Sequence, residues 1–566
     1  MFNSKKTQLF EMGSNKTTSV TQPFLNAGMK QAAKTLSGNG AEKFSTTGNA
    51  FVDQFGKVSN YKTQRSFNDI SKDISELWSI NPLMTIMFTL YLRIITRVVS
   101  LFNGTKTTTP QRGAGLKHES IMRMMWINIF HRESFWKNIQ LFIAVGSWKD
   151  IITMLSYDLQ YNGWKDRALD WDNFGKLILA GLENPNTTNL ILKYLPQIKA
   201  NSKCTTIESQ ADNMIAKWIC SLLFGNKDNA HTYKQYRKLK VSGNAHVWQQ
   251  LISKKLHNLV DFNTVPGRAL SLMVSSKYLS NHGLEDKYEQ WISTKPIAKF
   301  TGFVYELFKP VGKGWGTDRN LKKYQIDTIN SQFKGLVETA KKGANKDTSL
   351  IVVRDTSSSM TSEVQGTGLS SYTIGKSLAL FFSEMLPEGP FANSWIEFNN
   401  NAMLHQWQGS TPFEKFVNDR SESYGSTNFM GVINLFCTIK SQGVDESAFP
   451  TGIICLSDGA FDKADFKDTN VNAAKSKMVS SGFSNEYVDS FKFVFWDIPN
   501  SFYGSQAQST KFETYGNVPN VYYFSGFDGA VVAFLTGVEY QKTAPKNAEE
   551  LFEAAMNQEI LNMVEV

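Results

Sequence analysis

Apolar residues recur at every third or fourth position through much of the first 340 residues, which is the spacing of one face of an α-helix. The clearest helical segments are Ile121–Phe130, Phe135–Val145, Trp148–Leu155, Lys176–Leu182, Asn189–Tyr194, Asn213–Leu223, Val247–Leu259 and Ala269–Leu279. Short polar breaks with Gly or Pro separate them, as at 162–163, 184–186 and 265–267. This succession of short helices predicts an α-helical domain over residues 66–340, with paired helices stacked as an irregular solenoid.

The pattern changes near residue 340, where short apolar runs typical of buried strands begin to alternate with helical stretches. The strand-like runs are Ser349–Val353, Ser394–Phe398, Gly452–Leu456, Phe491–Trp496 and Val521–Phe524. Helical stretches lie between them at Tyr372–Met385, Thr427–Ile439 and Val471–Val479. The alternation predicts a doubly wound α/β domain over residues 346–546. Residues 547–566 are predicted to form one acidic amphipathic helix.

The first 65 residues differ from both domains. They are rich in Ser, Thr, Asn, Gly and Lys and have little periodicity. We expect a basic, mostly irregular N-terminal arm with a short helix near Phe24–Lys34. No continuous apolar stretch typical of a secretory signal occurs there.

One apolar segment, Leu83–Phe102, could suggest a membrane span. Arg93 and Arg97 lie in its second half, where a spanning helix would bury their charges in lipid at high cost. We therefore expect a buried helix of a soluble protein with no membrane span. The two arginines are four residues apart, so they are expected to share one helical edge.

Charge divides the chain at the same boundary as the pattern. Residues 1–345 contain 46 Lys and Arg against 25 Asp and Glu, a net charge of +21, whereas the remainder contains 14 against 26, a net charge of −12. A strongly basic body favours polyanions such as RNA, DNA or anionic lipid. The 41% hydrophobic and 13% aromatic content excludes wholesale disorder. Four widely spaced cysteines exclude a disulfide scaffold and a cysteine zinc site, and they fit a reducing, cytoplasmic compartment: Cys204, Cys220, Cys437 and Cys455.

Carboxylate and hydroxyl side chains follow the predicted strands of the α/β domain. The first strand ends in Asp355-x-Ser357-x-Ser359, Thr427 precedes a later helix, and Asp458 follows another strand. In open α/β sheets, ligands bind at the carboxyl ends of the strands. Oxygen donors alone fit a hard divalent cation, foremost Mg²⁺, with Mn²⁺ and Ca²⁺ as alternatives. Without a metal, the same residues would serve as helix caps and turns.

This set resembles the metal-ion-dependent adhesion site (MIDAS) of von Willebrand factor A domains. The resemblance implies that Ser357, Ser359 and Thr427 bind the cation through their hydroxyls. It implies that Asp355 and Asp458 bind the cation directly or through water. Neutral hydroxyls leave the charge of the cation under-compensated, so an open position would attract an acidic group of a protein partner. The implied role is adhesion.

Several patches of residues 38–340 resemble the TROVE module of Ro autoantigens and its TROVE-like relatives. The patches include Leu90–Arg93, the Gly-x-Trp-x-Asp pattern of 146–150, Ala216–Trp218, Tyr236–Lys238 and Trp248–Leu270, and Leu456–Asp462 continues the order in the second half. The resemblance implies a ring of HEAT-like helical repeats closed by the von Willebrand factor A-like domain. It also implies a ribonucleoprotein in which basic surfaces bind noncoding RNA. The chain departs from the family where Ile94 replaces an Asp and where a Thr-rich insertion, Thr105–Thr109, precedes Arg112–Gly115.

Candidate RNA-binding residues come from these matched patches. Lys217, Arg237, Lys238 and Arg268 are the candidates, because cationic side chains neutralise phosphates. Five tryptophans could stack on bases, although their apolar surroundings favour core packing: Trp126, Trp136, Trp148, Trp218 and Trp248.

Two functions remain open at this point. The first is a scaffold or chaperone that binds noncoding or single-stranded RNA and carries a divalent-metal adhesion site for a partner. The alternative is a metal-dependent protein-interaction or assembly module, such as a component of a large viral particle. An enzyme is not expected, because the sequence has no P-loop, no Gly-x-Ser-x-Gly elbow and no His-Glu-x-x-His motif.

Overall fold

A computed structural model of the chain describes residues 34–36, 42–44, 47–56, 65–95, 97–101, 104–225, 229–242, 247–295, 297–300, 302–311, 320–341, 349–364, 367–419, 421, 425–458, 470–498, 519–525 and 547–566. Helices fill the first part of this described chain, and a sheet with flanking helices fills the second. The predicted order, a helical domain followed by an α/β domain, is confirmed.

The helical part begins with a short antiparallel pair of strands, β1 (Lys34–Leu36) and β2 (Glu42–Phe44). Helices then follow one another along the chain. They are α1 (Ala50–Gly56), α2 (Phe67–Ile80), α3 (Pro82–Arg93), α4 (Lys117–Phe130), α5 (Arg132–Val145), α6 (Trp148–Asn162), α7 (Trp171–Glu183), α8 (Thr188–Tyr194), α9 (Ile207–Phe224), α10 (Ala230–Ser242), α11 (Val247–Ser253), α12 (Gly267–Ser275), α13 (Tyr278–Asn281), α14 (Glu285–Ser293), α15 (Val304–Phe308) and α16 (Lys323–Lys341).

The α/β part is built on a six-stranded sheet. Its elements are β3 (Leu350–Asp355), β4 (Glu363–Val364), β5 (Leu369–Ser370), α17 (Ser371–Ser383), β6 (Ser394–Phe398), β7 (Ala402–Gln406), α18 (Pro412–Asn418), α19 (Phe429–Ser441), β8 (Gly452–Ser457), α20 (Asn470–Ser480), α21 (Asn485–Ser490), β9 (Lys492–Asp497), β10 (Val521–Ser525) and α22 (Ala548–Met556). The strand order is β10-β9-β8-β3-β6-β7, parallel except for the antiparallel edge strand β7. Strands β4 and β5 form a separate two-stranded pair.

Each face of the sheet has its own hydrophobic core. One face packs on α17 and α18 and on the preceding helices α15 and α16, and the other packs on α19 and α20. The helices α15 and α16 were assigned to the helical domain from the sequence, yet their apolar side chains join the core of the α/β part. The helical part has two cores of its own, one over α1 to α10 and a smaller one over α12 to α14.

The apolar segment Leu83–Phe102 is a buried helix for only half of its length. Helix α3 ends at Arg93, so the expectation that Arg93 and Arg97 share a helical edge is wrong. The physical reason is a returning loop: Ala114 N–H donates to the carbonyl of Tyr91 and Leu116 N–H donates to that of Leu92, which ends the helix. No helix among the described residues is long and apolar enough to cross a membrane.

Both ends of the chain differ in part from the expectation. The helix expected near Phe24–Lys34 lies outside the described residues apart from Lys34, which begins β1. Within the arm, α1 is a folded helix that buries Phe51 and Val52 in the core of the helical part. At the other end the single helix expected over 547–566 is wrong, because α22 stops at Met556 and a short 3₁₀ turn follows at Leu561–Met563.

Candidate functional site

The predicted metal site lies where β3 and β8 end side by side. The parallel register pairs Arg354 of β3 with Leu456 of β8, which brings Asp355 next to Ser457. The Ser457 hydroxyl donates to Asp355 Oδ2 at 2.6 Å. The Ser357 amide donates to Asp355 Oδ1 at 2.8 Å. Both carboxylate oxygens of Asp355 are therefore held in a defined orientation.

The two predicted serine ligands lie directly beyond the strand. A 3₁₀ turn over Ser358–Thr361 follows Ser357, and it brings the hydroxyl oxygens of Ser357 and Ser359 to 3.2 Å from each other. Ser357 is 2% and Ser359 7% exposed, whereas Ser358 between them points to solvent. The alternation in the Asp-x-Ser-x-Ser motif thus places the motif hydroxyls inside and the intervening hydroxyl outside.

A second carboxylate lies beside the first. Asp458 follows β8 directly and is 5% exposed. Burial, and then the negative charge of Asp458, raise the pKa of Asp355 to about 7. Two buried carboxylates that disfavour each other's ionisation form a pair that a bound divalent cation would stabilise in the charged form.

Thr427 reaches the same end of the sheet through a hydrogen-bonded chain. The amide of the next residue, Asn428, donates to the carbonyl of Asn399 at 2.9 Å. The Asn399 side chain donates to the hydroxyl of Thr356, the residue between Asp355 and Ser357, at 3.1 Å. Thr427 is 1% exposed.

The donor set fits a hard cation. It consists of carboxylate and hydroxyl oxygens only, which is the ligand type of Mg²⁺. No group of three or more His, Cys, Asp or Glu side chains in the described chain is arranged to hold a metal. The candidate site differs from such a group because it contains only two carboxylates, Asp355 and Asp458, and its other oxygen donors are hydroxyls.

Sequence reasoning missed a buried ion cluster around Arg354, the residue that precedes Asp355. Arg354 is fully buried, and its guanidinium donates to Asp419 Oδ2 at 2.8 Å and to the Ser421 hydroxyl. Lys376 Nζ lies 3.5 Å from the same carboxylate oxygen. The guanidinium also stacks over the ring of Trp395 at 3.8 Å. The one signal in the sequence was an arginine inside an otherwise apolar strand.

The predicted RNA-binding residues fall in two places. Helix α10 carries Arg237 and Lys238 on its exposed side, whereas Tyr236 of the same helix is fully buried. Lys217 of α9 is half-buried, with its Nζ 5.8 Å from the ring centre of Tyr233 of α10. The structure thus brings three of the four candidates to the pair α9 and α10.

Arg268, the fourth candidate, has a structural partner. Its guanidinium forms an ion pair with Glu306 at 2.6 Å and joins α12 to α15. The side chain of Arg268 is 57% exposed, so this pair contributes little to stability. Glu306 nevertheless already neutralises the positive charge with which Arg268 would bind a phosphate.

The five tryptophans pack in hydrophobic cores. Trp126 and Trp148 are buried, and Trp136, Trp218 and Trp248 are partly buried against core side chains. This is the core role that the apolar pattern favoured. It leaves little ring surface for bases at Trp126 and Trp148.

The Gly-x-Trp-x-Asp pattern is also structural. Asp150 bonds Arg93 Nε at 2.8 Å and accepts from the Ser147 amide at 2.9 Å. A Cβ on Gly146 would lie 2.3 Å from Asp150 Oδ2, so no larger residue fits there without a shift. Arg97 donates to the carbonyl of Gly146 at 3.0 Å. The pattern therefore forms a buried joint among α3, α5 and α6.

Residues 349–564, less than half of the chain, match the model of a family described as a domain of unknown function (DUF7788). No curated protein matches the chain. The crystal structure of the Ro (RSR) protein of Deinococcus radiodurans is similar at 12% sequence identity and a TM-score of 0.31, over 75% of this chain and 88% of that one.

Proposed function

We propose that this chain is a scaffold or chaperone that binds single-stranded or noncoding RNA through its basic helical part. The observation that carries the proposal is an exposed basic face on α10, made of His231, Lys234, Arg237 and Lys238. At 3.6 residues per turn these four side chains occupy about 120° of the helix circumference. The resemblance of the sequence to TROVE modules favours the same class of ligand.

The basic face is not used to hold the fold together. Helix α10 contains no acidic residue, and its opposite side is fixed by Thr232 and Tyr236, which are buried. Among the described residues, no carboxylate forms an ion pair with Lys234, Arg237 or Lys238. Cations that are both exposed and unneutralised are the kind that release counterions when they meet phosphates.

A filter-binding assay across salt tests this proposal. Wild-type protein should bind a small structured RNA and a single-stranded RNA with an affinity that falls steeply as salt rises. The triple variant Lys234→Gln, Arg237→Gln, Lys238→Gln should bind more weakly, and the slope of log K against log salt should fall by about 2 for single-stranded RNA.

A charge-matched control separates a specific face from net charge. Lys72, Lys176 and Lys334 are exposed on three other helices, and replacing all three with Gln removes the same charge. This control should keep the wild-type slope. An affinity that does not change with salt, or equal losses in the two triple variants, would refute the proposed role of the basic face.

We propose a second activity, divalent-cation-dependent capture of an acidic group of a protein partner by the α/β domain. The convergence of Asp355, Ser357, Ser359 and Asp458 at one sheet edge favours it. We propose binding and no catalysis for this edge, with Mg²⁺ as the cation. This activity would support the alternative role as an assembly module.

Metal binding and partner binding can be tested on one variant. Mg²⁺ at about 100 times its Kd should stabilise the folded protein by about 2.7 kcal/mol, and chelator should remove the effect. The double variant Ser357→Ala, Ser359→Ala should lose this stabilisation and lose Mg²⁺-dependent partner capture, while RNA binding stays at the wild-type level. Unchanged capture by the double variant would count against the adhesion role.

A further inference from the structure

A cluster of three rings lies at the surface of the helical part, apart from the basic face defined above. His257 and His282 stack with ring centres 3.8 Å apart and planes 16° from parallel. Tyr278 completes the cluster, with its ring centre 4.6 Å from that of His282 and its hydroxyl 3.0 Å from His257 Nδ1. We call these three residues the ring cluster.

The ring cluster is accessible. His282 is exposed, and His257 and Tyr278 are half-exposed. Desolvation, and then the positive charges of His282 and Lys255, lower the pKa of His257. This lowering favours the neutral form of the His257 imidazole, and His282, which stacks on it, is the more exposed ring of the pair.

Lysines lie next to these rings in the chain. Lys254, Lys255 and Lys277 are all exposed. In the described part of the chain, no carboxylate forms an ion pair with any of them. Glu285, three residues after His282, is already held by Lys322 at 2.5 Å and by the Tyr324 hydroxyl at 2.8 Å.

The backbone conformation of Lys255 is set by the end of α11. Lys255 has a φ of +59°, the left-handed conformation that favours glycine. The Lys255 amide donates to the carbonyl of Ile252 and the Leu256 amide to that of Leu251, which is the pairing of a Schellman cap at the end of α11. A lysine there costs stability that glycine would not.

We infer that the ring cluster and its lysines form a subsite that stacks one base of single-stranded RNA and neutralises the flanking phosphates. The inference rests on the proposed RNA-binding function and adds a place and a mode of contact. Aromatic rings stack on any base, and cations beside them follow the backbone, so the subsite would be sequence-tolerant. A protein partner with exposed aromatic residues would instead stack on the rings alone, and the lysines would have no phosphates to neutralise.

Fluorescence anisotropy with two labelled 12-mers distinguishes these possibilities. One probe is an adenosine 12-mer, and the other has the same ribose-phosphate backbone with abasic positions throughout. Wild-type protein should bind the adenosine probe more tightly. The variant His257→Ala, His282→Ala should lose about tenfold in affinity for the adenosine probe and little for the abasic one. His257→Phe with His282→Phe should retain the wild-type preference because it keeps the rings.

The variant Lys255→Gly supplies a readout that a structural role would not produce. It relieves the left-handed strain and removes a cation, so its urea midpoint should rise while its affinity for both probes falls about two- to threefold. Wild-type affinities in both the alanine and glycine variants would overturn the subsite and leave RNA binding intact. Failure of the wild-type protein to bind any RNA would overturn the proposed function itself. Loss of protein capture with unchanged probe affinity would assign the rings to a protein partner and also overturn the subsite.

Discussion

The buried ion cluster of Arg354, Lys376 and Asp419 makes a quantitative prediction for Asp419→Asn. This change keeps the shape of the side chain but leaves Arg354 and Lys376 buried without the carboxylate that faces both. The side chains of Arg354 and Asp419 are 0% and 5% exposed, so water cannot replace the lost charge. Removing one partner of a buried pair costs about 3–5 kcal/mol, and we expect a destabilisation of the α/β part in this range.

The pH dependence follows from the direction of the Asp419 shift. Burial disfavours the charged carboxylate, but Arg354 and Lys376 outweigh that effect and hold the pKa of Asp419 well below its usual range. An acid whose pKa is depressed by folding stabilises the folded state above its unfolded pKa of about 3.9. The stabilisation is lost as the pH falls from there towards the folded pKa. The stability difference between wild type and Asp419→Asn should therefore be constant near neutrality and shrink in strong acid.

Hydrogen exchange in increasing urea measures this effect locally. A chain with several cores does not unfold as one two-state unit, so a local measurement is needed. Exchange is therefore followed in the peptides that cover β3 and β8. The control is Glu384→Gln, which breaks the more exposed pair with Lys415 and should cost about 1 kcal/mol or less. Replacing all three buried members of the cluster, Arg354→Met and Lys376→Met with Asp419→Leu, should destabilise less than Asp419→Asn alone. A loss below about 1 kcal/mol in Asp419→Asn would refute the reasoning.

Two further predictions concern two glycines and the C-terminal tail. Gly146→Ala would place a methyl group 2.3 Å from Asp150 Oδ2 and should cost about 1–3 kcal/mol by urea unfolding, whereas Gly375→Ala, in a helix with no atom nearer than 3.7 Å, should stabilise by about 0.5–1 kcal/mol. Equal effects of the two alanines would contradict this account. Deleting the residues after Met556 removes the fully buried Ile560 and should lower the urea midpoint of the helical part while leaving β3 exchange unchanged. An unchanged helical midpoint would show that this tail does not support the core.

The sheet of the α/β part and the polar residues at its carboxyl edge were predictable because their signals are local. Each parallel strand is a short apolar run followed directly by a polar residue, so the sheet and its carboxyl edge could be placed together. The strands Ser394–Phe398 and Gly452–Ser457 lie within a residue of their predicted bounds. The edge strand β7 was missed because its residues are mixed, with Met403 exposed and Leu404 half-buried. An edge strand is paired on one side only and is partly exposed, so its sequence need not be a continuous apolar run.

Features set by distant residues were not predictable. The end of α3 at Arg93 depends on a loop that returns about twenty residues later, and Gly113 allows it because a Cβ there would lie 2.1 Å from the Tyr91 carbonyl oxygen. The ion cluster depends in the same way on a partner 65 positions away, since Asp419 is polar and unremarkable in its own segment. The stacked rings of His257 and His282 come together from separate helical turns, and no spacing rule links them.

The Thr-rich insertion, which departs from the resembled family, has a structural use in this chain. Its Thr108 donates from both amide and hydroxyl to Glu559 of the C-terminal tail, at 2.8 and 2.9 Å. Beyond the insertion, the Arg112 backbone amide donates to the side-chain oxygen of Gln558, and the side-chain amide of Gln558 donates to the Arg112 carbonyl. The end of the α/β part is thereby tied to α3 and the loop after it, and the acidic tail meets the basic body. The tie joins the loop after α3 to residues 558 and 559, and helical periodicity alone could not predict this contact between segments about 450 positions apart.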